Sequence, residues 1–245
     1  MKMYGTIIST VHQLDSVLED ITSLCHHSLA EEGLQSPTIF LVSNSDSDLY
    51  HFPSFHNTIE DKIGELKRYE IFQHISKEGR EEMDRAFESG GLPEVASKML
   101  LCLKSTDNVT LNIGVIGETG AGKSSPVNAI RDVLDDQGGA APTGVTETTM
   151  APTMYPHPTF HNWELPGLGT CNFQLNNYLE QVGFESYNFF IVVASERFKE
   201  NHAKLAKRIN ERGKQFYFAR TKIDNEIEAS KKHRPSEFDS TKCCN

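Results

Sequence analysis

Residues 117–125 read Gly117-Glu118-Thr119-Gly120-Ala121-Gly122-Lys123-Ser124-Ser125. This is a complete G-x-x-x-x-G-K-[ST] phosphate-binding loop, and such a loop works between a strand and the helix that follows it. Its glycines let consecutive backbone N–H groups turn inward around an anion. Lys123 adds a full positive charge for the β- and γ-phosphates, and the Ser124 hydroxyl is a hard oxygen ligand for Mg²⁺. The flanks agree. Residues 110–116 alternate Leu111, Ile113 and Val115, which suits a strand. Residues 124–134 suit a helix whose N-terminal dipole faces the phosphates. The expected ligand is a nucleoside triphosphate with Mg²⁺.

The rest of the chain alternates in the same way. Residues 14–32 carry Leu14, Val17, Leu18, Ile21, Leu24, Cys25 and Leu29 at helical spacing, ending at Gly33. Residues 37–43 form a continuous apolar run, as in a strand buried on both faces. Pro53 opens a helix with Phe55, Ile59, Ile63 and Leu66 on one face. Residues 67–89 read as exposed amphipathic helix broken at Gly90-Gly91, with another helix over 92–103. A polar loop is predicted over 135–160, strands over 189–194 and 215–219, and a helix over 200–212. Residues 226–245 read as a polar, mobile tail. Strands alternating with helices predict an α/β fold: a doubly wound, mostly parallel sheet with helices on both faces, plus a small helical segment.

Composition narrows the partners. The net charge of −10 argues against non-specific nucleic-acid binding, which depends on Lys and Arg neutralising phosphates. Five scattered cysteines, with no signal peptide or long apolar run, suit a reducing, cytoplasmic setting. Only Asn245 follows Cys243-Cys244, so there is no prenylation box, and position 2 is not Gly. The histidines lack Cys or carboxylate partners at metal-ligand spacing and read as packing or surface residues. The charged stretch 77–85 reads as a solvated helix face.

Thr221-Lys222-Ile223-Asp224 separates GTP from ATP. It follows the apolar strand 216–219, at the sheet edge where α/β folds bind ligands. The Asp224 carboxylate can accept hydrogen bonds from guanine N1–H and N2–H₂, a pair that adenine lacks. The Lys222 stem can lie against the base. Between the two motifs stands Trp163-Glu164-Leu165-Pro166-Gly167, where a GTPase normally carries D-x-x-G. The Asp of that motif holds Mg²⁺ and its Gly N–H meets the γ-phosphate. Here Glu164, one methylene longer, fills the Asp position. Upstream, residues 143–149 supply Thr148 and Thr149 as candidates for a switch threonine on Mg²⁺.

Together these residues resemble the immunity-related GTPases, the interferon-inducible p47-type family. The resemblance rests on 117–125, on Thr143-Gly144-Val145 with Glu147 and Thr149-Met150, and on 165–169. It continues through Asn172-Phe173, Tyr178-Leu179, 189–191, 216–218 and 220–224, and covers most of residues 90–240. It implies binding of GTP and GDP, slow hydrolysis, and self-association through the nucleotide face. It also implies a peripheral place on intracellular membranes and a role in cell-autonomous innate defence. In the family the residue matching Glu147 assists hydrolysis across a dimer. The catalytic set implied here is Glu147, Lys123 and Thr149, and the metal set is Ser124, Thr149 and Glu164.

The resemblance also exposes an order of parts unlike the family's. Residues 18–66 look like the end of the same G domain, with Ser43-Asn44 as the fifth nucleotide motif. In the family this stretch follows the Asp224 motif; here it precedes the phosphate loop. Three regions result: 1–66 resembling the end of a G domain, 67–108 as a helical linker, and 109–245 as the phosphate-loop core. The chain is either a circular permutant or a fragment of a tandem array. In both cases the unpaired sheet edge should capture the early strand. Residues 38–43 are therefore expected parallel to and beside 216–219. The family's C-terminal helical domain has no counterpart here, and only residues 69–103 resemble its N-terminal helices.

Three functions remain open. One is a GTPase. Another is a weakly catalytic GTP-binding or assembly module, suggested by Glu164 and by Pro126, which replaces the family's Phe. The third is a P-loop ATPase or kinase, which Asp224 and Ser43-Asn44 disfavour.

Overall fold

The apolar run ahead of the phosphate loop forms an inner strand of a six-stranded sheet, β2 (Leu111–Gly117). The computed structural model describes residues 2–31, 33–34, 38–42, 52–74, 77–104, 110–143, 151–158, 160–168, 175–196 and 198–233. Residues Ser43, Asn44, Glu147, Thr148 and Thr149 lie outside them.

In chain order the strands are β1 (Ile39–Leu41), β2, β3 (Thr153–Pro156), β4 (Phe160–Glu164), β5 (Phe189–Ala194) and β6 (Gln215–Arg220). The helices are α1 (Lys2–Glu31), α2 (Phe52–His74), α3 (Lys77–Lys104), α4 (Ser124–Ile130), α5 (Leu175–Gln181), α6 (Glu200–Glu211) and α7 (Ile223–His233). The sheet order is β1-β6-β5-β2-β4-β3, parallel except for the β3–β4 pair. This is the doubly wound α/β class predicted.

Alternation along β5 explains the layers. Phe190, Val192 and Ala194 face one core, with Ile116 and Phe218 from neighbouring strands. That core is closed by α1 (Ile21, Cys25, Leu29), α5 (Tyr178, Leu179), α6 (Leu205, Ala206, Ile209) and α7 (Ile223, Ile227). Phe189, Ile191 and Val193 face the opposite core, closed by Phe55, Ile59 and Ile63 of α2 and Val127 and Ile130 of α4. Each fully buried Phe or Ile contributes about 1.5–3 kcal/mol relative to exposure.

The early strand sits where expected. β1 runs parallel to β6, with Ile39 opposite Phe218, Phe40 opposite Ala219 and Leu41 opposite Arg220. Backbone bonds from Phe218 N to Thr38 O (3.1 Å) and from Val42 N to Arg220 O (2.8 Å) extend the ladder. α1 covers one face of β1 and α2 the other, so all three strand residues are buried although β1 is an edge strand.

Several sequence expectations need correction. The predicted polar loop over 135–160 contains β3 and the start of β4. The helix after the phosphate loop stops at Ile130 rather than Leu134, because Asp132 turns into the left-handed region (φ 53°). The buried Asn128 amide then takes over: Nδ2 donates to Asp135 Oδ1 (2.8 Å) and Ala141 O (2.9 Å), while Ala141 N donates to Oδ1 (2.6 Å). The tail begins later than predicted, since 223–233 is helical and docks Ile223 and Ile227. At the glycine pair the backbone kinks: Gly91 takes φ 67°, ψ −160° within α3. Among the described residues, no helix is long and apolar enough to cross a membrane.

Candidate nucleotide-binding site

The parallel strands share one C-terminal edge. Gly117 lies opposite Val193, Ala194 opposite Arg220, and Leu41 opposite Arg220. The phosphate loop, the 165–168 segment and the Thr221–Asp224 turn all leave the sheet there, where parallel α/β sheets bind ligands.

The loop is built for an anion. Gly120 and Gly122 take φ of +75° and +76°, a region open to Gly at little cost. An added Cβ at Gly120 would meet nothing within 4 Å, so that side is open to a ligand. Lys123 is 6% exposed and its Nζ donates to Glu118 O at 3.3 Å, which holds the ammonium against the loop. Pro126 is buried in the first turn of α4. It removes no intrahelical bond there, because first-turn N–H groups have no partner inside the helix.

Two of the three residues proposed for Mg²⁺, Ser124 and Glu164, meet one another. Ser124 Oγ lies 3.2 and 3.1 Å from the two carboxylate oxygens of Glu164, and both residues are buried. β4 positions Glu164 at the end of the sheet, opposite Val115. A hydroxyl beside a carboxylate is the all-oxygen donor set that Mg²⁺ prefers. The longer Glu side chain thus still reaches Ser124. Gly167 is required by a close approach: a Cβ there would lie 2.2 Å from Thr119 Oγ1 and 2.8 Å from Thr119 N. The bridge between Glu118 and Leu168, with Leu168 N donating to Gly117 O (3.0 Å), keeps the two segments in contact.

The third motif is bonded directly to the first. Thr221 Oγ1 lies 2.5 Å from Ala121 O and 3.2 Å from Ala194 O, and the residue is fully buried. Lys222, in the left-handed region at φ 57°, donates from Nζ to Gly120 O at 2.7 Å. Thr221 thus braces the turn against the phosphate loop. Asp224 stands half-buried in the first turn of α7. Of the sequence-derived set, the structure brings together 117–125, Glu164, Gly167, Thr221, Lys222 and Asp224.

Sequence reasoning missed a second brace. Lys199 Nζ donates to Glu118 Oε2 (2.9 Å), linking the start of α6 to the phosphate loop. Both groups are partly exposed, so the pair orients more than it stabilises. Glu118 raises the Lys199 pKa, mainly through that hydrogen bond. Behind it, Lys199 N donates to His202 Nδ1 at 3.1 Å. His202 is 1% exposed and its Nε2 has no hydrogen-bond partner. No motif spacing announces this chain; its ends are far apart in sequence and meet only across the sheet edge.

Burial pushes the His202 pKa down to about 4, with Glu118 opposing and Lys199 and Arg220 assisting. An unfolded His titrates near 6.5. Below that pH the unfolded chain takes a proton that the folded chain refuses, so stability falls as pH drops from about 6.5 to about 4. His202→Asn keeps an acceptor for Lys199 N. Between about pH 7 and about pH 4.5 the native protein should lose roughly 2 kcal/mol more than this variant in urea unfolding. Equal losses would remove His202 from the acid response.

A sequence model of the family described as Interferon-inducible GTPase (IIGP) matches residues 8–78 and 76–244. The chain belongs to this family. Relatives within the interferon-inducible GTPases are similar in sequence. The chain is 45% identical over 167 residues to Interferon-inducible GTPase 5 of Rattus norvegicus, covering 67% of the chain and 36% of that protein. It is 47% identical over 154 residues to T-cell-specific guanine nucleotide triphosphate-binding protein 2 of Mus musculus, covering 62% and 37%. It is 41% identical over 171 residues to Interferon-inducible GTPase 1 of Mus musculus, covering 69% and 41%. The chain thus spans 36% to 41% of the length of these curated relatives.

Proposed function

We propose that the chain binds GTP and GDP with Mg²⁺, hydrolyses GTP slowly and self-associates through its nucleotide face in cell-autonomous innate defence. The single observation that carries this reading is the direct bonding of the Thr221–Asp224 turn to the phosphate loop. Thr221 Oγ1 bonds Ala121 O and Lys222 Nζ bonds Gly120 O. These bonds tie the turn that carries Asp224 to the loop, which supports a reading in which one nucleotide is bound through both its base and its phosphates.

In this reading the N–H groups of 117–125 and the Lys123 ammonium hold the β- and γ-phosphates. Ser124 and Glu164 hold Mg²⁺, which when bound neutralises charge on the phosphate oxygens. Gly167 offers its N–H to the γ-phosphate, and Asp224 reads the base. Glu147, Thr149, Ser43 and Asn44 keep the roles that the family resemblance implies. Segment 1–66 acts as the end of the G domain, with 67–108 as its connector and 109–245 as its core; the β1–β6 pairing supports this. A peripheral place on intracellular membranes belongs to the same proposal.

Competition binding tests the central claim: GTP and GDP should displace a fluorescent guanine nucleotide, and ATP should not. Equal displacement by ATP would overturn it. Self-association is tested by light scattering with GTP against GDP.

A second reading, a binding module with little turnover, rests on Glu164 standing where a GTPase motif carries Asp. Mg²⁺ should strengthen GTP binding in the native chain. In Glu164→Ala that enhancement should fall about tenfold, and in Glu164→Asp it should stay within about threefold, since a carboxylate–metal contact contributes on the order of 1–2 kcal/mol. An unchanged Mg²⁺ effect in Glu164→Ala would take Glu164 out of the metal set.

A further inference from the structure

Arg220 closes β6 immediately before the Thr221–Asp224 turn. It is 3% exposed. It lines a depression of about 550 Å³ with Ser28 and Glu31 of α1 and Glu226 of α7. Its Nη2 donates to Glu226 Oε1, an ion pair and hydrogen bond in one.

The pair brackets the turn. Arg220 is the last residue of β6, and Glu226 is the fourth residue of α7, two positions beyond Asp224. The bond therefore fixes the angle at which the first turn of α7 leaves the sheet. That turn needs fixing from outside, because Lys222 sits at φ 57°, an uncommon conformation for a side chain of its size. Thr221 braces it toward the phosphate loop. Arg220 and Glu226 brace it on the other side, toward α1.

Stability alone does not account for this arginine. Its Nε and Nη1 are buried without hydrogen-bond partners. Buried donors left unpaired are costly, and an apolar pair commonly replaces a buried ion pair at equal or better stability. A fixed direction is what an ion pair adds and an apolar pair does not.

We propose that Arg220 is a positioning residue for base selectivity, aiming Asp224 at the guanine edge through its bond to Glu226. This rests on the reading of Asp224 as the guanine acceptor. Arg220, 3% exposed, acts in this proposal through Glu226 rather than by contact with the nucleotide. Because α1 helps to enclose it, segment 1–66 supports base recognition from behind the sheet.

The test measures GDP, IDP and ADP affinities by competition with fluorescent GDP, on the full chain. Hypoxanthine lacks the 2-amino group, so the GDP/IDP ratio reports the aim of Asp224. The ADP affinity reports the phosphate cradle alone. Glu226→Ala leaves the buried Arg220 guanidinium without this partner, so folding of each variant is checked by melting, and Arg220→Met/Glu226→Leu is the variant free of that cost. Glu226→Ala should lower the GDP/IDP ratio at least fivefold while ADP affinity stays within twofold. Glu226→Gln, which keeps an acceptor for Arg220, should recover most of the ratio. Arg220→Met/Glu226→Leu, an apolar pair, should fold and yet lose the ratio as Glu226→Ala does. Folded variants whose ratio stays within twofold of the native chain would overturn the role of Arg220. A native chain that binds GDP no better than ADP would overturn the guanine reading itself, and this inference with it.

Discussion

Asp224→Asn should exchange the base preference of the chain, weakening GDP at least about 100-fold and admitting XDP in its place. The carboxylate accepts from both guanine N1–H and N2–H₂. Hydrogen bonds to a charged group contribute about 1.5–3 kcal/mol each. The neutral Asn oxygen keeps a weaker bond to N1–H while its NH₂ meets N2–H₂ donor to donor, which together amount to about 3 kcal/mol, roughly two decades in affinity. Xanthine carries a carbonyl at C2. The Asn amide would then accept from N1–H through its oxygen and donate to that carbonyl through its nitrogen. Asp224 starts an acidic first turn of α7, on a turn bonded to the phosphate loop, so the substituted side chain stays in place. Competition titrations with GDP and XDP check the outcome. Unchanged GDP affinity would show that Asp224 does not read the base.

Gly117→Ala should cost more than about 4 kcal/mol, among the largest effects of a single substitution. A Cβ at Gly117 would lie 2.2 Å from the Val193 carbonyl oxygen and 3.1 Å from its carbon. These are backbone atoms of the β2–β5 pair, with neighbouring strands on both sides, so neither can step away. Val193 is itself fully buried. A domain of this size shifts its Tm by roughly 2–4 °C per kcal/mol, so melting should fall by about 10 °C or the protein should fail to accumulate folded. Gly120→Ala is the control. Its Cβ meets nothing within 4 Å, leaving only the positive-φ cost of about 1–2 kcal/mol. Scanning calorimetry of the two variants separates packing from backbone conformation. A Gly117→Ala chain melting within about 2 °C of native would sink the argument.

The parts legible in the sequence were those whose chemistry is local. The phosphate loop needs its glycines, Lys and Ser at fixed spacing, and the strands around it are buried on both faces and read as apolar runs. β4 escaped because two of its three inward residues are polar. Phe160, Asn162 and Glu164 face in, so its hydrophobic period looks broken. Asn162 is fully buried with neither polar side-chain atom hydrogen-bonded, which no propensity would suggest. Glu164 faces in because its partner Ser124 is there, a reason visible only once the strands are assembled. α7 escaped for lack of apolar residues; Ile223 and Ile227 alone dock it. The braces Lys199–Glu118 and Arg220–Glu226 obey no motif, since one joins distant loops and the other spans a turn whose shape the sequence does not announce.

The pairing of β1 with β6 has a consequence in time. β1 is synthesised long before β6, so its partner does not yet exist when it emerges. Contacts between such distant segments slow folding, because a large loop must close before any bond rewards it. Until then β1 has no strand to pair with, and β6 completes the layer last. Apolar surface and an unpaired strand edge left open over that interval are what make a folding chain prone to aggregate. A chain with the same parts in the opposite order would add β1 to a sheet already standing.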